Sequence, residues 1–306
     1  MFTQYKFSQL GFLLLILNVF QPAVASSKDC DLATDLLFRA YHLYTLGKAT
    51  SHQKLLFSKS LGLCSDKPEV HATLASIFEK QANYPKAAYH YQEALRYDKK
   101  FDKAWYGVGE TYYKQQRFPL SLEAHLQVCQ TNKKSKAQIM NILKNLYFFY
   151  TDKNRIIDQE SLLVLYDRQR RQALNRIIFD CGIPDVEIPP RHIFLNFDFQ
   201  LGESTLSTET ERQLDEIAAA LKQLNSPIIK IHGHADSRRF RQRNLKTSNK
   251  LNQQLSEDRA VSIAIALGQR GILTERLKTF GHGYTKPLFP GSSQLAINRR
   301  VEIEVE

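Results

Sequence analysis

The sequence predicts an all-α helical-repeat domain followed by an α+β domain. The second domain should run βαβαββ, with its helices packed on a mixed sheet. Three observations predict this. The first half is self-similar at a period of 34 residues. The last third alternates short period-two apolar runs with longer runs of helical periodicity. Between them lies GIPDVEIPPR, 182–191, with three prolines and a glycine, which reads as a linker. The expected boundaries are a signal at 1–25, repeats at 26–180, a linker at 181–191 and the α+β domain at 192–306.

The N-terminus carries Lys6, the apolar run GFLLLILNVF and AVA before Ser26. A short basic flank, a short apolar core and small residues at a cut site read as a secretory signal, cleaved after Ala25. The apolar run is about half the ~20 residues that a spanning helix needs. Cys30 follows SSKD rather than a lipoprotein box, so no acyl anchor is expected. The location expected is the periplasm, at the wall, and the inner face of the outer membrane is compatible with it.

The clearest repeat is Pro68–Phe101, with Leu74, Ala75 and Phe78 on one helix and Ala87, Tyr91 and Ala94 on the next. Asp102–Ser135 repeats it with Trp105, Val108, Gly109, Tyr112, Ser121 and His125. A degenerate unit spans Thr34–Lys67, with Ala40, Tyr44 and Phe57 in register. The period is the length of a tetratricopeptide repeat, and these units are similar to that family. Small residues at Ala75, Ala87, Gly109 and Ser121 should let paired helices approach closely. AQIMNILKNLYFFY and QESLLVLYDRQRRQALNRIIF continue or cap the stack. The basic run 167–176 reads as a solvated helix face. Stacks of this kind act as protein-binding scaffolds, so an envelope protein is the expected partner.

In the last third, RHIFLNFDF is a half-buried strand with Ile193, Leu195, Phe197 and Phe199 on one face. Thr208 with Glu211 forms a capping box opening a helix to about Leu224. Leu214, Ile217, Ala218 and Leu221 form its inward stripe. IIKIHGHA is the second strand. SEDRAVSIAIALGQRG is the second helix, with Val261, Ile265 and Leu267 inward and Gly271 as its stop. LKTFGHG and RRVEIEVE are the closing strands.

Asp236 follows the second strand and Arg259 lies on the next helix. An acid and a guanidinium so placed can share one pocket. That pair suits a ligand bearing both an ammonium and a carboxylate, since arginine grips a carboxylate through two parallel hydrogen bonds. A plain structural salt bridge is the simpler alternative. His232, His234 and Asp236 also form an H-x-H-x-D string, which raises a zinc-dependent hydrolase as an alternative. The following histidine of that metal motif is absent, with Ser237 in its place. No nucleophile–base constellation is legible, so the expectation is a protein that is not an enzyme and needs no cofactor.

The ordered motifs FLNFDF, GHAD, LNQQLSEDRA, GILTERLKTFGHGYTKP and NRRVEIEV resemble the OmpA-like peptidoglycan-binding domain family. The resemblance covers the last third of the chain. It implies a non-catalytic domain that binds peptidoglycan through the diaminopimelate of the stem peptide. Asp236 would hold its ammonium and Arg259 its carboxylate. Asn252 and Leu255 stand at the family's pocket asparagine and leucine, and Arg299 is a further contact. Ala235 replaces the family's threonine. Gln294–Leu295 stand where Gly-Arg is common. The spacing from Asp236 to Arg259 is longer than the family's, through the insertion SRRFRQRNLKTSNK. That insertion reads either as a loose surface loop or as a basic lip on the pocket.

The net charge of +11 calls for an anionic partner. An exported chain excludes nucleic acid, and stem-peptide carboxylates fit. The reading is a periplasmic adapter that grips the wall with one domain and a protein with the other. A structural part of a larger envelope machine, a motor or secretion complex, is the companion alternative. Cys30 and Cys64 flank the first helical hairpin and can meet in an oxidising compartment. Cys129 with Cys181 is the second candidate pair, and buried free thiols are the alternative for both.

Overall fold

The computed structural model describes residues 27–46, 51–145, 150–151, 155–183, 186–197, 206–225, 228–289, 291 and 296–306. The expected signal at 1–25, Phe199 and Gln294–Leu295 lie outside them. Among the described residues no helix is long and apolar enough to cross a membrane. By its contacts the chain divides between Ser65 and Asp66.

The first unit is a helical hairpin of α1 (Ser27–Thr45) and α2 (Ser51–Leu63). Ser60 Oγ donates to Ala33 O at 2.7 Å, and Gln53 Nε2 donates to Ala40 O at 3.1 Å. These pairs set the two helices antiparallel around buried Ala33, Ala40 and Phe57. Cys30 and Cys64 close the open end as a disulfide. The Tyr44 side chain lies outside the description.

The second unit opens with two tetratricopeptide-like hairpins. They are α3 (Pro68–Lys80) with α4 (Tyr84–Tyr97), and α5 (Asp102–Lys114) with α6 (Phe118–Leu126). The period is visible in the turns. Ala82 and Gln116, 34 positions apart, are both left-handed, at φ 55° and 59°. Pro85 and Pro119 then open α4 and α6, where a missing N–H costs nothing. Gly109 and Ser121 sit at a close helix crossing as expected, and Gly107 does the same. A Cβ on Gly107 would lie 2.2 Å from the Tyr91 ring, and one on Gly109 would lie 2.8 Å from that of His125. Ser121 Oγ donates to Gly109 O at 2.9 Å.

Beyond the hairpins the stack departs from the sequence reading. The helix α7 (Lys133–Lys144) stops before the aromatic run, and Tyr150–Thr151 forms a strand, β1. The long helical pattern that follows breaks at Asp167 into α8 (Gln159–Tyr166) and α9 (Arg168–Asp180), because the Asp167 carboxylate accepts from the Arg170 N–H and caps a new helix. Residues Ser161–Tyr166 of α8 are all buried. The basic run is not a solvated face throughout: Arg170 pairs with Glu123, and Arg171 donates to Leu165 O at 2.6 Å. Cys129 and Cys181 form the second disulfide.

The remaining elements are β2 (Arg191–Phe194), α10 (Thr208–Gln223), β3 (Ile229–Gly233), α11 (Leu245–Gln269), β4 (Leu277–Gly281) and β5 (Val301–Val305). They follow the expected order βαβαββ. The sheet order is β1-β2-β5-β3-β4. The β3–β4 and β1–β2 pairs are parallel, and β5 runs antiparallel to β2 and β3. The strand β2 is buried on both faces rather than one, at His192, Ile193 and Phe194, and Thr151 Oγ1 meets His192 Nε2 at 2.6 Å. The cap of α10 is Ser207, whose Oγ accepts from Thr210 N, in place of the Thr208–Glu211 box. Its stripe of Leu214, Ile217, Ala218 and Leu221 is buried as expected.

One core joins the later helices to the sheet. At its seam Gln213, fully buried, donates to Ile157 O and accepts from Ile157 N. In the stretch expected as a linker, Ile183 and Ile188 are buried, and Ile188 N donates to Asn175 Oδ1.

Candidate functional site

Two glycines place the site. Gly233 and Gly281 are paired across β3 and β4 at the strand ends. A Cβ on Gly233 would fall 1.9 Å from Ser256 O, and one on Gly281 2.7 Å from Glu257 N. Their bare backbones let α11 lie directly on the sheet, which is the use of glycine at a close approach. That contact also sets the phase of α11. Ala260, Ile263, Ala266 and Leu267 face inward, whereas Val261 and Ile265, expected inward, are 37% and 57% exposed.

With this phase Arg259 is fully buried, and its Nη1 donates to His234 O at 3.0 Å. The chain leaves the sheet after Gly233, and Asp236 turns into the same space, 3% exposed. Its Oδ2 lies 3.3 Å from Arg238 Nε and 3.5 Å from Arg299 Nη1. Arg238 N donates to its Oδ1 at 3.2 Å. Asp236, Asn252, Leu255, Arg259 and Arg299, the five residues expected from sequence, all line one cavity of about 240 Å³. Burial, then the charge of Arg299, lowers the Arg259 pKa to about 10, and Asp236 opposes them. Arg259 is therefore charged at neutral pH. The cavity presents a buried cation, and an acid whose Oδ2 accepts no hydrogen bond among the described residues.

The insertion contributes more than a loose loop. Arg238, Arg239, Phe240 and Arg241 line the cavity. Asn252 Nδ2 donates to Arg238 O, Phe240 N donates to Ser248 Oγ, and Asn244 caps α11. Residues 245–250 of the insertion are helix, and α11 begins eleven residues before the expected start at Ser256. Sequence reasoning named the arginines as a lip but missed Phe240 as a wall.

The zinc reading lacks its donor set. Among the described residues, His232, His234 and Asp236 do not form a group of three ligand atoms close enough for one ion. His232 and His234 stay under the sheet end while Asp236 turns into the cavity. His232 Nδ1 instead meets His282 Nε2 at 2.9 Å. The His234 ring makes no hydrogen bond among the described residues; its main chain does that work, donating to Arg300 O and accepting from Arg259. The closing NRR motif was only half read. Arg300 forms a buried pair with Glu302 and donates to Lys286 O. The i, i+2 spacing on one strand was the available signal.

Burial lowers the His234 pKa to about 2, and those of His90 and His125 to about 4. Below the ordinary histidine value of 6.5 the unfolded chain takes up protons that the folded chain refuses. Stability supplied by these groups is thus full above 6.5 and is lost as pH falls toward the folded values. Glu79 and Glu110, raised by burial, act oppositely nearer the carboxylate range. The urea midpoint should therefore fall between pH 7 and roughly 5.5. A flat or rising midpoint would contradict the neutral, buried histidines.

Residues 198–300 match the OmpA family model. Outer membrane protein A of Bordetella avium is 34% identical over 111 residues, covering 36% of this chain and 52% of that protein. The probable lipoprotein YiaD of Escherichia coli (strain K12) is 32% identical over 110 residues, covering 35% of this chain and 47% of that protein. The chain thus spans about half the length of these curated relatives. Among solved structures, the cell wall anchor of the T6SS from Pseudomonas aeruginosa is 29% identical, over 35% of this chain and 73% of its own, with a TM-score of 0.29. The cavity and the five residues expected to line it therefore belong to an OmpA-like domain in the C-terminal third of the chain.

Proposed function

We propose that this chain is a non-catalytic, wall-bound component of the periplasm. Its OmpA-like domain holds the free end of diaminopimelate in the peptidoglycan stem peptide. Asp236 takes the ammonium, Arg259 takes the carboxylate, and Asn252, Leu255 and Arg299 are further contacts. The observation that carries this reading is the buried placement of Asp236 and Arg259 in one small cavity. Opposite charges lining one cavity match a zwitterion, and burial strengthens both contacts. The two disulfides fit an oxidising compartment. The match to the OmpA family and the envelope names of the curated relatives point the same way.

The repeats recruit an envelope protein. A groove of about 640 Å³ offers apolar Leu95, Trp105, Val108 and Leu120 beside Arg96 and Lys99. That mixture suits a protein segment with apolar anchors. The test is sedimentation. Purified protein should pellet with diaminopimelate-type sacculi, and free diaminopimelate should release it. Protein that stays in the supernatant, or that free diaminopimelate does not displace, would defeat the reading.

A further inference from the structure

The insertion builds a second cavity beside the first. It has a volume of about 570 Å³ and is lined by Ser237, Arg238, Arg239, Leu245, Asn249 and Tyr284. Arg238 and Arg239 line both cavities, so the two share a wall of guanidinium side chains. Arg238 is committed to Asp236 through Nε and the main chain. Arg239 has no carboxylate at ion-pair distance among the described residues.

The first cavity carries more positive charge than a zwitterion offsets. Its lining carries Arg238, Arg239, Arg241, Arg259 and Arg299 against Asp236 alone, a net of +4 from five cations and one anion. One ammonium and one carboxylate add nothing to that balance. The rest of the insertion adds Arg243, Lys246 and Lys250, and no acid lies between Asp236 and Glu257. The insertion is also held in place, by Asn252, Ser248 and the Asn244 cap. A basic wall held in place beside a cavity, in which Arg239 has no carboxylate partner among the described residues, suits an anion of the same ligand.

We infer that the second cavity is a subsite for a second carboxylate of the same stem peptide, with Arg239 as its cation and the Asn249 amide and Tyr284 hydroxyl as neighbouring donors. This rests on the diaminopimelate reading of the first cavity. It gives the chain a preference for stem peptides that keep their carboxylates free over those in which they are amidated.

Calorimetry on the full chain tests it with three probes: free diaminopimelate, a stem peptide with free glutamate and alanine carboxylates, and the same peptide with those two carboxylates amidated. The free-acid peptide should bind roughly fivefold tighter than the amidated one, the scale of a solvent-facing ion pair. Arg239→Gln should bring that ratio to about one, and Asn249→Ala should reduce it partway. Equal affinity for the two peptides in the wild-type chain overturns the inference alone. So does an Arg239→Gln variant that weakens both peptides in the same proportion. Failure of the wild-type chain to bind any of the three defeats the first-cavity reading and this one together.

Discussion

Arg259→Ala should abolish retention of the protein on sacculi, and Asp236→Asn should do nearly as much. Removing one partner of a buried charge contact costs about 2–5 kcal/mol, or about thirtyfold to several thousandfold in affinity. The two losses differ in kind. Arg259 is fully buried and holds the His234 carbonyl, so its removal leaves the ligand carboxylate facing a dry wall. Asp236→Asn keeps the shape and removes the charge, leaving Arg238 and Arg299 to repel an incoming ammonium. Arg259→Lys retains charge without the planar fork and should fall between them. Circular dichroism and a thermal melt of each variant separate lost binding from lost folding. Retention by both folded variants at wild-type level would remove these residues from the site.

Gly233→Ala should damage fold and site together. The new Cβ would meet Ser256 O at 1.9 Å, with Ala260 N at 3.2 Å. Both are main-chain atoms of α11, so no side chain can swing away. Overpacking of this kind costs typically 1–3 kcal/mol and occasionally more, and a clash with helix backbone belongs at the upper end. Any relief must lift α11 from the sheet, and α11 carries Asn252, Leu255 and Arg259. A lower urea midpoint together with weaker sacculus binding is the expected result. Unchanged values of both would show that the close approach does not position the site.

Much of this was legible because it depends on local chemistry. The repeat period appears in small residues and prolines that the turns and crossings require. Asp236 and Arg259 were legible as a pair because one ends a strand and the other lies on the following helix. What failed depended on partners distant in sequence. The strand at Tyr150–Thr151 exists because β2 offers an edge, and the local pattern there was helical. Val261 and Ile265 are apolar yet outward, because contact with Gly233 and Gly281 sets the phase of α11. The H-x-H-x-D string suggested a metal because alternation was extended past the last strand residue, where the chain turns. Phe240 could not be placed as a cavity wall until the insertion was seen to fold back through Asn252 and Ser248.

A crystal of this chain soaked with diaminopimelate measures the central claim directly. The expected result is the amino acid in the cavity of about 240 Å³, with its ammonium at Asp236 and its carboxylate at Arg259. An empty cavity under saturating ligand, or a molecule bound with those groups reversed or elsewhere on the domain, would contradict it.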